Sequence, residues 1–139
     1  MTEIEKNIDF MFKSDKFSQW LGIQLEHVGK GTATLNMKMR EEMANGFGII
    51  HGGIIFSLAD SALAFASNGA GNISVALNVQ MSFLAQVRVE DVITATATEI
   101  KDGRNIGTYN IDLENQEGRK VGHFTGSVFR TGKALNPES

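Results

Sequence analysis

Asn45-Gly46-Phe47-Gly48-Ile49-Ile50-His51-Gly52-Gly53 runs directly into Ile54-Ile55-Phe56-Ser57-Leu58-Ala59-Asp60, and the reading of this stretch decides the fold. From Ile54 to Ala66 nearly every position is apolar or small, which predicts a helix that is hydrophobic all round and buried on most sides. The helix opens on two glycines, and Asp60 is its only charged residue. Burying an unpaired carboxylate costs roughly several kcal/mol, so a sequence that puts one in such a helix has a partner or a use for it.

Upstream, Ile4, Ile8, Met11 and Phe12 recur at helical spacing with charges between them, which predicts an amphipathic helix within residues 1–19, ended by Gly22. Ile23 to Val28 reads as a short strand, Gly29-Lys30-Gly31 as a turn, and Ala33 to Met39 as a second strand. After Asn68-Gly69-Ala70-Gly71 the period becomes two, over Ile73 to Phe83, Asp91 to Lys101, Asn105 to Asn115 and Lys120 to Phe129. The turn signals Asp102-Gly103-Arg104-Asn105 and Gln116-Glu117-Gly118 join the last three of these into an antiparallel meander, and 131–139 reads as a flexible tail. Helix, two strands, long helix and four strands make one α+β domain over residues 1–139, an antiparallel sheet wrapped around the central helix.

Composition narrows the function. A chain of 139 residues is marginal for burying a long helix on all sides unaided, so self-association is expected. The formal net charge is −3 with no block of like charge, which points away from nucleic acid and from an anionic membrane. There is no cysteine, hence no disulfide, thiolate ligand or thiol nucleophile, and His27, His51 and His123 lack ligand spacing, so no metal site is expected. The acidic, polar start and the lack of any apolar run of 18 residues lead us to expect a cytoplasmic protein.

The order of elements, with Asn45, His51-Gly52-Gly53, Ser57-Leu58-Ala59-Asp60, the strand from Ser74 to Val79 and the ending from Gly122 to Ser127, resembles the hotdog-fold acyl-CoA thioesterases. The likeness runs from about Phe17 to Arg130 and is nearest the phenylacetate-degradation, or PaaI-type, branch. It implies a sheet around the helix, two sheets paired edge to edge in a homodimer, a homotetramer built as a dimer of dimers, and active sites between subunits. The substrate implied is an aryl- or medium-chain acyl-CoA. No cofactor is implied, CoA being part of the substrate.

Thioester hydrolysis needs a nucleophile at the carbonyl carbon and stabilisation of the oxygen as it becomes negative. The first amides of a helix are unpaired and carry partial positive charge, and a glycine there admits a carbonyl closely. By the resemblance, the Gly52 amide is the oxyanion donor, Asn45 lies at the same pole, and Gly53 meets the CoA part of the substrate. Asp60 stands eight residues on, roughly 12 Å along the axis, too far for both to touch one carbonyl from one helix. A site shared by two subunits removes the difficulty.

Each assignment has a plainer alternative. Asp60 serves as base or nucleophile, or it satisfies amides or a serine across a dyad. His51 holds substrate, or it is a turn residue whose ring bonds a backbone carbonyl; Asn45 donates to the thioester, or it caps its loop. Ser74 matches a family serine that orients the attacking water, or it is an ordinary strand-edge serine. Arg88, Lys101, Arg104 and Arg130 are the candidate CoA cations, or they are solvated strand-end charges. Phe47, Phe56, Met81 and Phe83 line an acyl pocket or belong to the core. The chain reads Ala85-Gln86 where the family commonly has a proline, which touches the CoA edge of the site. Two rival readings are a hotdog hydratase or dehydratase and a non-catalytic acyl-CoA-binding protein.

Overall fold

The apolar helix expected from Ile54 spans Gly52–Asn68 as α3, and the rest of the chain is arranged around it. The computed structural model describes residues 1–137. Before α3 come α1 (Glu3–Ser14), α2 (Lys16–Leu21), β1 (Gln24–Gly29), β2 (Thr32–Lys38) and a 3-10 turn, Glu41–Met43; after it come β3 (Asn72–Phe83), β4 (Val92–Asp102), β5 (Ile106–Glu114) and β6 (Lys120–Ala134). One antiparallel sheet has the order β1-β2-β4-β5-β6-β3, so the strand that follows α3 lies at the far edge.

Alternation along the strands decides which sheet face α3 covers. Leu35 and Met37, Ile93 and Ala95, Tyr109 and Ile111, and Phe124 and Val128 are buried on the helix side, while Thr34, Thr96, Asp112 and His123 stand opposite one another on the other face. The helix supplies Leu58, Ala62, Leu63, Phe65 and Ala66 to the same core. Its close seating needs Gly126, where a Cβ would lie 2.8 Å from Leu63 Cδ2. Removing this much apolar area from water is the main stabilising term.

Three features differ from the sequence-based expectation. The amino-terminal helix is two helices, because Asp15 leaves helical geometry and caps α2 by accepting from Ser18 N–H at 3.0 Å. Residues 131–134, expected in a flexible tail, continue β6, and Leu135 N–H donates to Gly71 O at 2.7 Å; Glu138 and Ser139 of that tail lie outside the described residues. The third is α3 itself, which is not covered all round. Gly53 and Asp60 are exposed, and Ile54, Ser57 and Ala64 are half-buried beside them. The sheet takes one side of the helix, and none of the described residues of the protomer covers this strip.

Candidate active site

At the start of α3, His51 is the N-cap, and its Nδ1 accepts from Gly53 N–H at 2.9 Å. An accepting Nδ1 fixes the neutral tautomer with its proton on Nε2. The ring therefore bonds a backbone amide rather than the carbonyl anticipated for a turn histidine. Ile54 N–H reaches His51 O, so among the described residues the first helical amide, Gly52 N–H, is left without a partner at the positive pole. A Cβ on Gly52 would lie 3.1 Å from the Phe83 ring, which closes over the glycine from the end of β3.

A cleft of about 380 Å³ opens there, lined by Asn45, Ile49, Ile50, Gly52, Ile55 and the segment from Phe83 to Val87. Asn45 Oδ1 accepts from Phe47 N–H at 2.9 Å and Ile49 N–H at 3.3 Å. It thus caps its loop through oxygen and keeps Nδ2 as a donor in the cleft. The other polar side chain in the lining is Gln86, which the sequence marked only as part of the Ala85-Gln86 departure from the family's proline. Of the aromatic and Met candidates for an acyl pocket, Phe83 lines this cleft. Phe56 packs on Phe124 with centroids 5.5 Å apart, Met81 packs against the core, and Phe47 is exposed at its loop tip.

Asp60 corrects the expectation of burial: the residue is exposed on the uncovered strip of α3. It lines a recess of about 150 Å³ with Leu63, Ala64, Ser67, Ser74, Ala76 and Val128. Among the described residues it has no hydrogen bond or ion pair, and the apolar walls exclude enough water to push its carboxyl above the usual aspartate range. Ser74 is brought into the same recess, its Oγ donating to Ser67 O at 3.3 Å and its N–H to Asn68 Oδ1 at 2.8 Å. Two poles thus lie on one protomer, an amide pole at Gly52 and an acid pole at Asp60, roughly 12 Å apart by helical rise. Strand β3 runs past both, with Phe83 at the first and Ser74 and Ala76 at the second.

The cations divide. Arg88, Lys101 and Arg104 are exposed, and none forms an ion pair among the described residues. Arg130, expected as a phosphate ligand, is committed elsewhere: Nη2 reaches Asp102 at 2.8 Å and Glu99 at 3.3 Å, and Nε donates to Gly103 O at 3.0 Å. Tyr109 O–H donates to Glu99 at 2.7 Å, and burial followed by that carboxylate pushes the phenol up to about 12, so it stays a neutral donor. Two carboxylates on one guanidinium leave no net positive charge for a phosphate. No group of three His, Asp or Glu suited to a metal ion occurs among the described residues.

A six-stranded antiparallel sheet around one apolar central helix is the hotdog arrangement. The chain belongs to the thioesterase superfamily, whose family model matches residues 47–122. It is 34% identical to the acyl-coenzyme A thioesterase PaaI of Escherichia coli K12, over 96% of each chain. The solved structure of the E. coli PaaI protein superposes with a TM-score of 0.93 over 95% of this chain and 96% of that one. A hypothetical thioesterase of Streptococcus pneumoniae TIGR4, crystallised with coenzyme A, is 28% identical and gives a TM-score of 0.77 over 81% of this chain and 90% of that chain.

Proposed function

We propose that this protein hydrolyses acyl-CoA thioesters at sites shared by two subunits of a homodimer. The observation that carries the reading is the pair of poles, each incomplete alone, at opposite ends of an exposed edge strand. The kinship to an acyl-coenzyme A thioesterase and to a thioesterase crystallised with coenzyme A supports it.

In this reading the thioester carbonyl of the substrate points at Gly52 N–H, with Asn45 Nδ2 as second donor, where charge develops in the transition state. Asp60 of the other subunit takes a proton from the attacking water, or attacks the carbonyl carbon itself, and Ser74 orients that water. The tetrahedral intermediate collapses with loss of CoA thiolate, which leaves as the thiol on protonation; where Asp60 itself attacked, water then hydrolyses the acyl-aspartyl anhydride to free acid and restores the carboxylate. His51 shapes the pole by holding Gly53 N–H, and Gly53 lies against the thioester arm. Arg88, Lys101 and Arg104 are the candidate phosphate contacts. The acyl group is aryl or medium-chain, the full assembly is a dimer of dimers, and with CoA esters as substrates the working location is the cytoplasm. Among the described residues no helix is long and apolar enough to cross a membrane.

The test is thiol release from a panel of aryl, short, medium and long acyl-CoA esters, with native protein and Asp60→Asn side by side. Release that the variant lacks supports the reaction and its residue, and the preferred ester names the acyl class. Binding without release from any ester overturns the hydrolase reading in favour of an acyl-CoA-binding protein.

A further inference from the structure

Two clefts flank the helix start at Gly52 and Gly53, and the amide pole accounts for only one of them. The second, of about 350 Å³, lies between α2 and α3, with Phe17 and Trp20 on one side and His51, Gly53 and Ile54 on the other. Phe17 and Trp20 stack with ring centroids 6.1 Å apart and planes 24° from parallel, yet they are 53% and 66% exposed. Across from them Ser57 turns its hydroxyl onto its own helix, donating to Gly53 O at 2.7 Å. The cleft therefore presents two ring faces that nothing among the described residues covers.

The backbone that carries these rings is held at both ends. Ser18 Oγ donates to Asp15 at 2.7 Å, so it accepts from Ser61 Oγ of α3 at 2.8 Å, and both hydroxyls are buried. At the other end of α2, Arg40 donates from Nη1 to Leu21 O at 2.7 Å and from Nη2 to Trp20 O at 3.3 Å. Its guanidinium lies 6.0 Å from the Trp20 ring centroid, and its Nε is engaged by Glu42 at 2.6 Å. The wall is thus fixed in place, aromatic at its surface, and flanked by charges that are already paired.

We propose that Phe17 and Trp20 are specificity-determining residues: the acyl group of the substrate lies in the α2 cleft against their rings. The proposal rests on the thioesterase reading for its ligand and adds to it the place of the acyl group. A carbonyl whose oxygen meets Gly52 N–H sends its sulfur and its acyl carbon in divergent directions, so the two arms need two channels, and the two clefts adjoin at Gly52 and Gly53. The cleft with Phe83 runs on to Val87, beside the exposed cation Arg88, which suits the arm that ends in phosphates. The α2 cleft, with paired charges and bare ring faces, suits the uncharged arm, and covering exposed aromatic area stabilises the complex. Its volume of about 350 Å³ is at the small end for ligand clefts, which fits an aryl or medium-chain acyl group. Ser18, Ser61 and Arg40 act through α2 as positioning residues.

Trp20 is the chain's one tryptophan, so its emission reports on this cleft directly. The experiment titrates native protein with free CoA, S-ethyl-CoA and S-octyl-CoA, the last two being thioethers that cannot be hydrolysed, and repeats the titrations by calorimetry in Phe17→Ala and Trp20→Ala. S-octyl-CoA is expected to shift the emission to the blue, while free CoA and S-ethyl-CoA leave it in place. In each variant the affinity for S-octyl-CoA should fall about tenfold with that for free CoA native, and in turnover the KM for octanoyl-CoA should rise to the same extent with acetyl-CoA kinetics unchanged. Because the thioethers report binding alone, an emission shift in a protein that releases no thiol from any ester would overturn the hydrolase reading and uphold this one. An equal emission change with free CoA, unchanged affinity for S-octyl-CoA in both variants, or equal losses for S-octyl-CoA and free CoA would overturn the proposal, as would a changed oligomeric state in Trp20→Ala with S-octyl-CoA binding intact.

Discussion

Asp60 is the residue on which most turns, and its environment makes three statements about one substitution. In the proposed hydrolysis Asp60 is base or nucleophile, so Asp60→Asn, which keeps the shape, should lower turnover by about a hundredfold or more, measured as thiol release. Because desolvation holds the carboxyl above the usual aspartate range, the acid limb of the kcat/KM profile should lie above that range and be absent from the residual activity of the variant. The sign for stability is the reverse of the salt-bridge case. A carboxyl whose folded pKa is raised costs stability once pH passes its unfolded value, and the full cost is present above the folded one. The variant should therefore melt higher than the native protein at neutral pH, with the gap closing as pH falls below the ordinary aspartate value; a lower melting temperature at neutral pH would contradict the desolvated site. Gly52→Pro tests the other pole. Proline is tolerated at the first helical position, and His51, at φ −61° and ψ 134°, already has the geometry proline asks of its predecessor. The substitution deletes the amide hydrogen while Phe83 gives way slightly. It should cost about 10²–10³ in kcat with the fold retained by circular dichroism. Asp60 and Gly52 stood out as candidates in the sequence, since a carboxylate and two glycines are conspicuous in an apolar helix, and the structure places Gly52 with Asn45 at one cleft and Asp60 with Ser74 in a separate recess. The exposure of Asp60 was not, because helical periodicity cannot say which side of a helix lacks a cover.

Elements were legible where one period ran unbroken and illegible where a polar residue did two jobs. The long helix and the strands from β3 to β5 came within a residue or two of their observed bounds, because apolar alternation there meets good turn signals. Asp15 read as one more charge on a helix face, yet its carboxylate caps a second helix and accepts from Ser18 Oγ, which also meets Ser61 of α3 at 2.8 Å. That buried hydroxyl pair ties α2 to α3, and α2 in turn forms one wall of a cleft of about 350 Å³ with Phe17, Trp20, His51 and Gly53, which the sequence reading missed. The end of β6 was read as tail because Gly132 and Lys133 interrupt the alternation, although Thr131 Oγ1 still bonds Ile73 O at 2.8 Å. Packing between elements gives its own prediction. Gly126→Ala puts a methyl 2.8 Å from Leu63 Cδ2, which forces α3 or Leu63 away from the sheet. Chemical denaturation should show a loss of about 1–3 kcal/mol, and an unchanged midpoint would mean that the helix has more room than the contact implies.

At the scale of the whole molecule, the argument for a shared site is one of symmetry. Strand β3 is a long edge strand with Val75, Leu77 and Phe83 exposed, the kind of edge that natural proteins pair or cover. Two copies pairing antiparallel about a two-fold axis near its middle would carry the Phe83 end of one onto the Ser74 end of the other. Each amide pole would then face the other subunit's acid pole, and an isologous contact makes two such sites at once. Mixing Asp60→Asn with Gly52→Pro protein under conditions that let subunits exchange tests this directly. In a mixed dimer one site has lost both groups, and the other takes an intact Gly52 from one chain and an intact Asp60 from its partner. With equal amounts and random exchange, half the dimers are mixed, so about a quarter of native turnover should return from two nearly inactive proteins. A site contained within one protomer predicts no recovery at all, since every chain in the mixture lacks one of the two groups. Recovery that rises with the time allowed for exchange, and that is lost when exchange is blocked by crosslinking each protein beforehand, would tie the activity to the interface rather than to either chain.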